Sequence, residues 1–178
     1  VLGACGEAGA VLIDDPHLYE RLTALRYNGT VNRETCLEPG LNARLDTLQA
    51  AILLVRLQYF DELMEKRRII AQKYDEKLAD LVKTPHEAEN CRDVWYTYTI
   101  QADRRDDLRA YLTANGIETK IHHPILMPEQ PAYRTMARGE WNNAKRLLGQ
   151  ILSLPAHEKM TCEQVNSVAE NIRNFYGA

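Results

Sequence analysis

Three side chains with specific hydrogen-bonding heads, Asn42, Arg44 and Gln49, stand in Gly40-Leu41-Asn42-Ala43-Arg44-Leu45-Asp46-Thr47-Leu48-Gln49-Ala50-Ala51. An asparagine amide offers two donor hydrogens suited to a phosphate oxygen. An arginine forks onto a carboxylate or diphosphate through parallel bonds. A second polar pair, His122 and His123, adjoins Pro124. The residue before proline favours extended backbone, and neighbours in extended chain point to opposite faces, so these imidazoles are not expected to share one metal ion. By spacing alone, Asn42 reads as an N-cap ahead of an apolar run, and Arg44 as a surface charge. Gln49 and His157 read as structural, and His17 as a surface residue.

The elements that must position these groups follow from periodicity. Ala10 to Ile13 is a short apolar run of strand type. Asp15 and Pro16 open a helix whose expected buried stripe is Leu18, Leu22 and Leu25, closed by Asn28-Gly29. Residues 29–41 read as a loop. A long helix follows, with Leu45, Leu48, Ile52, Val55 and Tyr59 on one face. It resumes with Leu63, Ile70, Tyr74, Leu78 and Leu81, after an expected bend near residues 57–60. Asp61 to Arg68 reads as a solvated charged face. Val94 to Gln101 alternates like a strand, which places Trp95, Tyr96 and Tyr98 in a core or on a strand face. Asp103 and Asp106 resemble a capping box, with Leu108, Tyr111 and Leu112 facing inward. Ile117 to Ile121 is a further strand candidate, and residues 122–139 a structured loop. Trp141 to Ile151 reads as helix. Thr161 and Gln164 cap a last helix that buries Val165, Val168, Ile172 and Phe175. The alternation predicts a small α/β layer domain after residue 60 or so.

Composition narrows the function classes. The 178 residues are 45% hydrophobic and 26% charged, with a net charge of -3. No basic field is present to hold nucleic acid. The apolar run Ala50 to Val55 is too short to span a bilayer. Cys5, Cys36, Cys91 and Cys162 are scattered without a Cys-x-x-Cys pair, so no metal site is expected and a reducing cytoplasm is the default.

Asn-x-Arg-Leu-Asp-x-Leu-Gln-Ala-Ala from Asn42 resembles the DegT/DnrJ-type nucleotide-sugar aminotransferases, pyridoxal-phosphate enzymes of the aspartate-aminotransferase fold type. Gly6-Glu7-Ala8-Gly9-Ala10-Val11-Leu12 is similar to that family's Gly-Asp-Gly-Gly-Ala segment. Gly116-Ile117-Glu118-Thr119-Lys120-Ile121-His122-His123-Pro124 is similar to its Gly-Ile-x-Thr-x-x-His-Tyr-Pro. Gln130-Pro131-Ala132-Tyr133 and Leu152-Ser153-Leu154-Pro155-Ala156-His157 complete an ordered set. Departures bear on substrate identity: Glu7 and Ala8 replace Asp and Gly, His123 stands where Tyr is usual, Tyr96 where His is frequent, and Pro128 where many members have His.

The resemblance implies an α/β fold, the C-terminal part of a fold type I pyridoxal-phosphate enzyme. Residues 1–57 would be the end of the large domain and the start of the linking helix, and residues 58–178 the small α/β domain. Val1-Leu2-Gly3 matches the segment behind the family's Schiff-base lysine, which is expected immediately before Val1. The fragment alone is then expected to be inactive. The implied reaction is transamination of a nucleotide-linked keto sugar, with glutamate as amino donor and pyridoxal 5'-phosphate as cofactor. In the implied homodimer Asn42 reaches the partner subunit's cofactor, while Arg44, His122 and His123 contact substrate. Two rival readings stand beside it. One is a sugar dehydratase of the same fold using pyridoxamine phosphate. The other is a non-enzymatic helical interaction or regulatory domain.

Overall fold

The computed structural model describes residues 2–178. The chain divides into two compact units, Val1–Phe60 and Asp61–Ala178.

The first unit is built around helix α1 (Pro16–Leu25). Proline at its first position presets the backbone, and the Asp15 carboxylate accepts from the His17 and Leu18 amides at 2.9 and 3.3 Å, as the sequence predicts. After α1, a hairpin of β1 (Thr30–Val31) and β2 (Thr35–Cys36) occupies part of the stretch expected to be loop. The returning chain then packs its backbone on the end of α1. Leu41 donates to the Leu25 carbonyl at 2.8 Å, and Ala43 to that of Arg26 at 2.9 Å. Two glycines make this approach possible. Gly29 has φ 69, and a Cβ there would fall on the Glu38 carbonyl; a Cβ on Gly40 would fall on the Gly29 amide.

Helix α2 (Thr47–Gln58) follows Asp46. Asn42 is therefore not an N-cap: it lies in extended chain, bridged to Tyr27, before the helix begins. The apolar run at 10–13 forms no strand, because no neighbouring strand pairs with it among the described residues. The expected stripes also differ. Among the described residues of this unit no apolar side chain is buried; Leu12 is 96% exposed and Leu48 74%. Their periodicity is amphipathic, but the face it marks lies open.

The second unit carries the core. Helix α3 (Phe60–Leu78) follows an interruption of the helix at Tyr59, within the stretch 57–60. Strands β3 (Tyr98–Gln101) and β4 (Ile151–Leu154) pair antiparallel, with Thr99 opposite Ser153. Lys83 bridges to Gln101 and Lys120 to Ser153, widening the sheet by one short segment on each side. Helices α4 (Arg105–Ala114) and α6 (Cys162–Tyr176), with α3, supply the rest of one apolar cluster: Ile70, Tyr74, Leu78, Leu108, Leu112, Val165 and Ile172 meet Tyr98, Ile100, Leu152 and Leu154. Fully burying each such side chain stabilises by about 1.5–3 kcal/mol. The buried tyrosines are hydrogen-bonded, Tyr74 to the Pro155 carbonyl at 2.8 Å and Tyr98 to Asp75 at 2.6 Å.

Several local expectations are corrected here. β3 begins only at Tyr98; Trp95 ahead of it has φ 46, and Tyr96 is exposed rather than core. Arg104, at φ 52, precedes α4 without a side-chain cap, so the Asp103–Asp106 box does not form. Helix α5 (Asn142–Leu148) stops short of Ile151, which starts β4. Arg67, expected on a solvated face, is 11% exposed and ties three loop carbonyls (Trp95, Tyr96 and Ala156) and Glu158 together.

Candidate functional site

The sequence-predicted residues fall into two groups, one in each unit. In the first, the Arg44 Nε–H donates to Asn42 Oδ1 at 2.9 Å. A guanidinium can only donate, so the amide oxygen must be the atom that faces it. Asn42 Nδ2 is thereby turned away, with no partner among the described residues. The Arg44 guanidinium also stacks over the Tyr27 ring, 5.0 Å from its centroid. A cavity of about 350 Å³ lies beside this pair, lined by Arg26, Arg33 and Arg44 together with Thr23 and Thr30. Arg26 and Arg33 pair with no carboxylate among the described residues, so the cavity presents uncompensated positive charge. Gln49 is separate from it and donates to the Glu7 carbonyl at 3.5 Å.

In the second unit, His122 and Ser153 line a cavity of about 500 Å³ with Lys120, Tyr96 and His157. Their geometry follows from the sheet. Thr99 and Ser153 are register partners, on the face opposite Leu152 and Leu154. Lys120 pairs with Ser153 from the other side, and His122, two residues on, returns to the same face. Its Nδ1 lies 2.9 Å from Ser153 Oγ, which lies 2.8 Å from Thr99 Oγ1. Burial first, then the charge on Lys120 and the neighbouring His123, holds the His122 imidazole below its usual pKa. The Thr119 hydroxyl, which lines the same cavity, is buried without a hydrogen-bond partner among the described residues. His123 differs from the extended backbone predicted before proline: it has φ 54, is exposed, and its ring centroid lies 6.5 Å from that of His122.

The DegT/DnrJ/EryC1/StrS aminotransferase family matches residues 1–173. The chain belongs to that family. It is 36% identical, over 98% of its length and 47% of the relative's, to a dTDP-3-amino-3,4,6-trideoxy-alpha-D-glucose transaminase of Streptomyces venezuelae. It is 35% identical, over 98% and 49%, to a pleiotropic regulatory protein of Geobacillus stearothermophilus. A DegT/DnrJ/EryC1/StrS aminotransferase from Brucella abortus superimposes with a TM-score of 0.95 at 34% identity, over 99% of this chain and 48% of that one. S. venezuelae DesV, solved in complex with a ketimine intermediate, gives 0.94 at 35%, over 99% and 48%. The chain thus spans about half the length of the curated relatives it matches.

Enzymes of this family use pyridoxal phosphate, and the residues present fit that group in one respect: Asn42 offers an amide donor held in a fixed direction and otherwise unused. The expected Schiff-base lysine lies outside the described residues. Sequence reasoning missed Arg26 and Arg33. Neither has a spacing that marks it; only the hairpin and the turn after α1 bring them beside Arg44. Ser153 stands in the Leu152-to-His157 motif, which by itself assigns it no role. A small polar residue flanked by Leu152 and Leu154, in a strand-type alternation, was the available signal.

Proposed function

We propose that this chain is the C-terminal part of a pyridoxal-phosphate-dependent aminotransferase acting on a nucleotide-linked keto sugar, with glutamate as amino donor. The observation that carries the reading is the Asn42–Arg44 pair, with its free amide donor, in a chain that matches the family over residues 1–173. Residues 1–57 then close the large domain and residues 58–178 form the small one. The open apolar residues of the first unit support a homodimer in which Asn42 reaches the partner subunit's cofactor. The exposed free cysteines suit a reducing cytoplasm.

When bound, pyridoxal phosphate supplies the electron sink and carries the amino group. The residues of this chain bind and orient. Asn42 Nδ2 donates to a phosphate oxygen, and Arg44 holds the amide in that direction. Arg44, with Arg26 and Arg33, draws an anionic substrate group, carboxylate or diphosphate, to the positive cavity. Neutral His122 hydrogen-bonds a sugar oxygen, and His123 contacts substrate.

The test is cofactor retention by the complete enzyme, read by equilibrium dialysis. A charge-assisted hydrogen bond to a phosphate contributes about 1.5–3 kcal/mol, so Asn42→Ala should weaken pyridoxal phosphate binding by about tenfold or more. Asn42→Asp, which sets a carboxylate against the phosphate, should weaken it further. Unchanged affinity in both variants would sink the assigned role.

A further inference from the structure

We propose that Ser153, backed by Thr99, is the positioning residue for His122: it holds the ring through Nδ1 and keeps the proton on Nε2, so that the cavity meets a neutral hydrogen-bond donor.

Donor counting carries the argument. The chain of polar atoms is Thr99 Oγ1, Ser153 Oγ, His122 Nδ1, at 2.8 and 2.9 Å. Each hydroxyl has one hydrogen, and a neutral imidazole has one N–H. If Thr99 donates to Ser153 and Ser153 donates to Nδ1, every hydroxyl hydrogen is used. The ring proton then sits on Nε2, the nitrogen with no partner among the described residues, on a residue that lines the cavity. If the polarity runs the other way, Nδ1–H donates to Ser153 and Ser153 to Thr99, and the Thr99 hydrogen is left without an acceptor among the described residues. Both arrangements make the same two hydrogen bonds. The first leaves over the Nε2–H of a ring that lines the open cavity, where water or substrate accepts it, whereas the second strands the hydrogen of half-buried Thr99; the first is favoured on that ground.

Ser153 is well placed to hold this geometry. It is only 5% exposed. Its main chain is pinned from one side, where its amide donates to the Lys120 carbonyl at 2.8 Å and its carbonyl accepts from the Lys120 amide at 3.1 Å. On the other side it belongs to the β3–β4 ladder. The ladder fixes the Ser153 Cβ, so only a change of side-chain rotamer can take the hydroxyl away from the ring. The depressed basicity of His122 agrees, since a charged ring would have to donate from both nitrogens.

The kinetic side of this inference rests on His122 meeting the substrate, as proposed above; the tautomer does not. The experiment is nitrogen NMR of the complete enzyme labelled at histidine, near neutral pH. The wild-type His122 signal should show Nδ1 unprotonated and Nε2 protonated. A ring protonated on Nδ1 overturns the proposal without any variant. Ser153→Ala should release the ring to a mixture of tautomers. Ser153→Cys, which keeps the volume but donates weakly, should do so in part, and it serves if the alanine variant does not fold. Thr99→Val should keep the Nε2–H form, because Ser153 can still donate to Nδ1. An unchanged ring in both Ser153 variants, or a flipped ring in Thr99→Val, overturns the proposal. In turnover, Ser153→Ala should raise KM for the sugar substrate by about tenfold, the worth of one aligned hydrogen bond. If His122→Phe leaves KM unchanged while the tautomer results hold, the functional reading of His122 fails and its positioning by Ser153 stands.

Discussion

A single imidazole gives the chain a measurable acid response. The folded state keeps His122 neutral below its ordinary value of 6.5, through burial and the charges of Lys120 and His123. As pH falls beneath that value, the unfolded chain binds a proton that the folded chain refuses. The unfolded state then carries more protons, and stability falls with pH in that window. Glu163, stabilised as a carboxylate by main-chain and Thr161 hydrogen bonds, also loses stability on acidification, but only below its ordinary 4.5. The two responses are therefore separable. Urea midpoints of the 178-residue chain should fall as the pH drops below about 6.5, and His122→Gln should flatten that part of the curve. A slope that survives in His122→Gln would assign the response to another group.

Helix ends explain where sequence reading worked and where it did not. Thr161 accepts from the Gln164 amide at 3.3 Å, and Gln164 Oε1 accepts from the Thr161 amide at 2.9 Å. Thr161→Ala should destabilise the chain by about 1 kcal/mol, seen as a lower urea midpoint with an unchanged slope. A change in slope would mean that more than the cap was lost. This box and the Asp15 cap were readable because all their atoms lie within a few residues. The stripe of α6 was readable because its partners lie in its own unit. By contrast, the stripes of α1 and α2 have true periodicity but remain open, since amphipathicity states that a face wants cover and not what covers it. Asn42 was read as a cap because Asn favours caps; the helix instead starts after Asp46, and a long-range bridge to Tyr27 decides the position. Ile151 continued a helical pattern, yet pairing with Gln101 made it strand. In the site, Arg44 and His122 were chosen from motifs. Arg26, Arg33 and the Ser153–His122 contact carry no motif that marks them, because each depends on residues distant in sequence.

Taken whole, the molecule is unevenly stabilised. Every buried apolar side chain among the described residues lies in the second unit. In the 178-residue chain, amide hydrogens of α3, β3, β4 and α6 should therefore exchange last, and those of α1 and the β1–β2 hairpin much sooner. Hydrogen-exchange mass spectrometry checks this; equal protection in both units would mean that the first unit draws stability from contacts other than side-chain burial. The two glycines behind Asn42 have a different kind of consequence. Gly29 and Gly40 close the hairpin at its base, where their main chains nearly touch. Everything between them projects beyond that closure. Loop-closure cost grows only slowly with length, so residues 32–34, the turn of the hairpin, form a segment free to lengthen, shorten or change composition while Asn42 and Arg44 stay in register with Tyr27. Arg33 rides on this segment. One boundary of the positive cavity can thus diversify from one lineage to the next without disturbing the asparagine anchor.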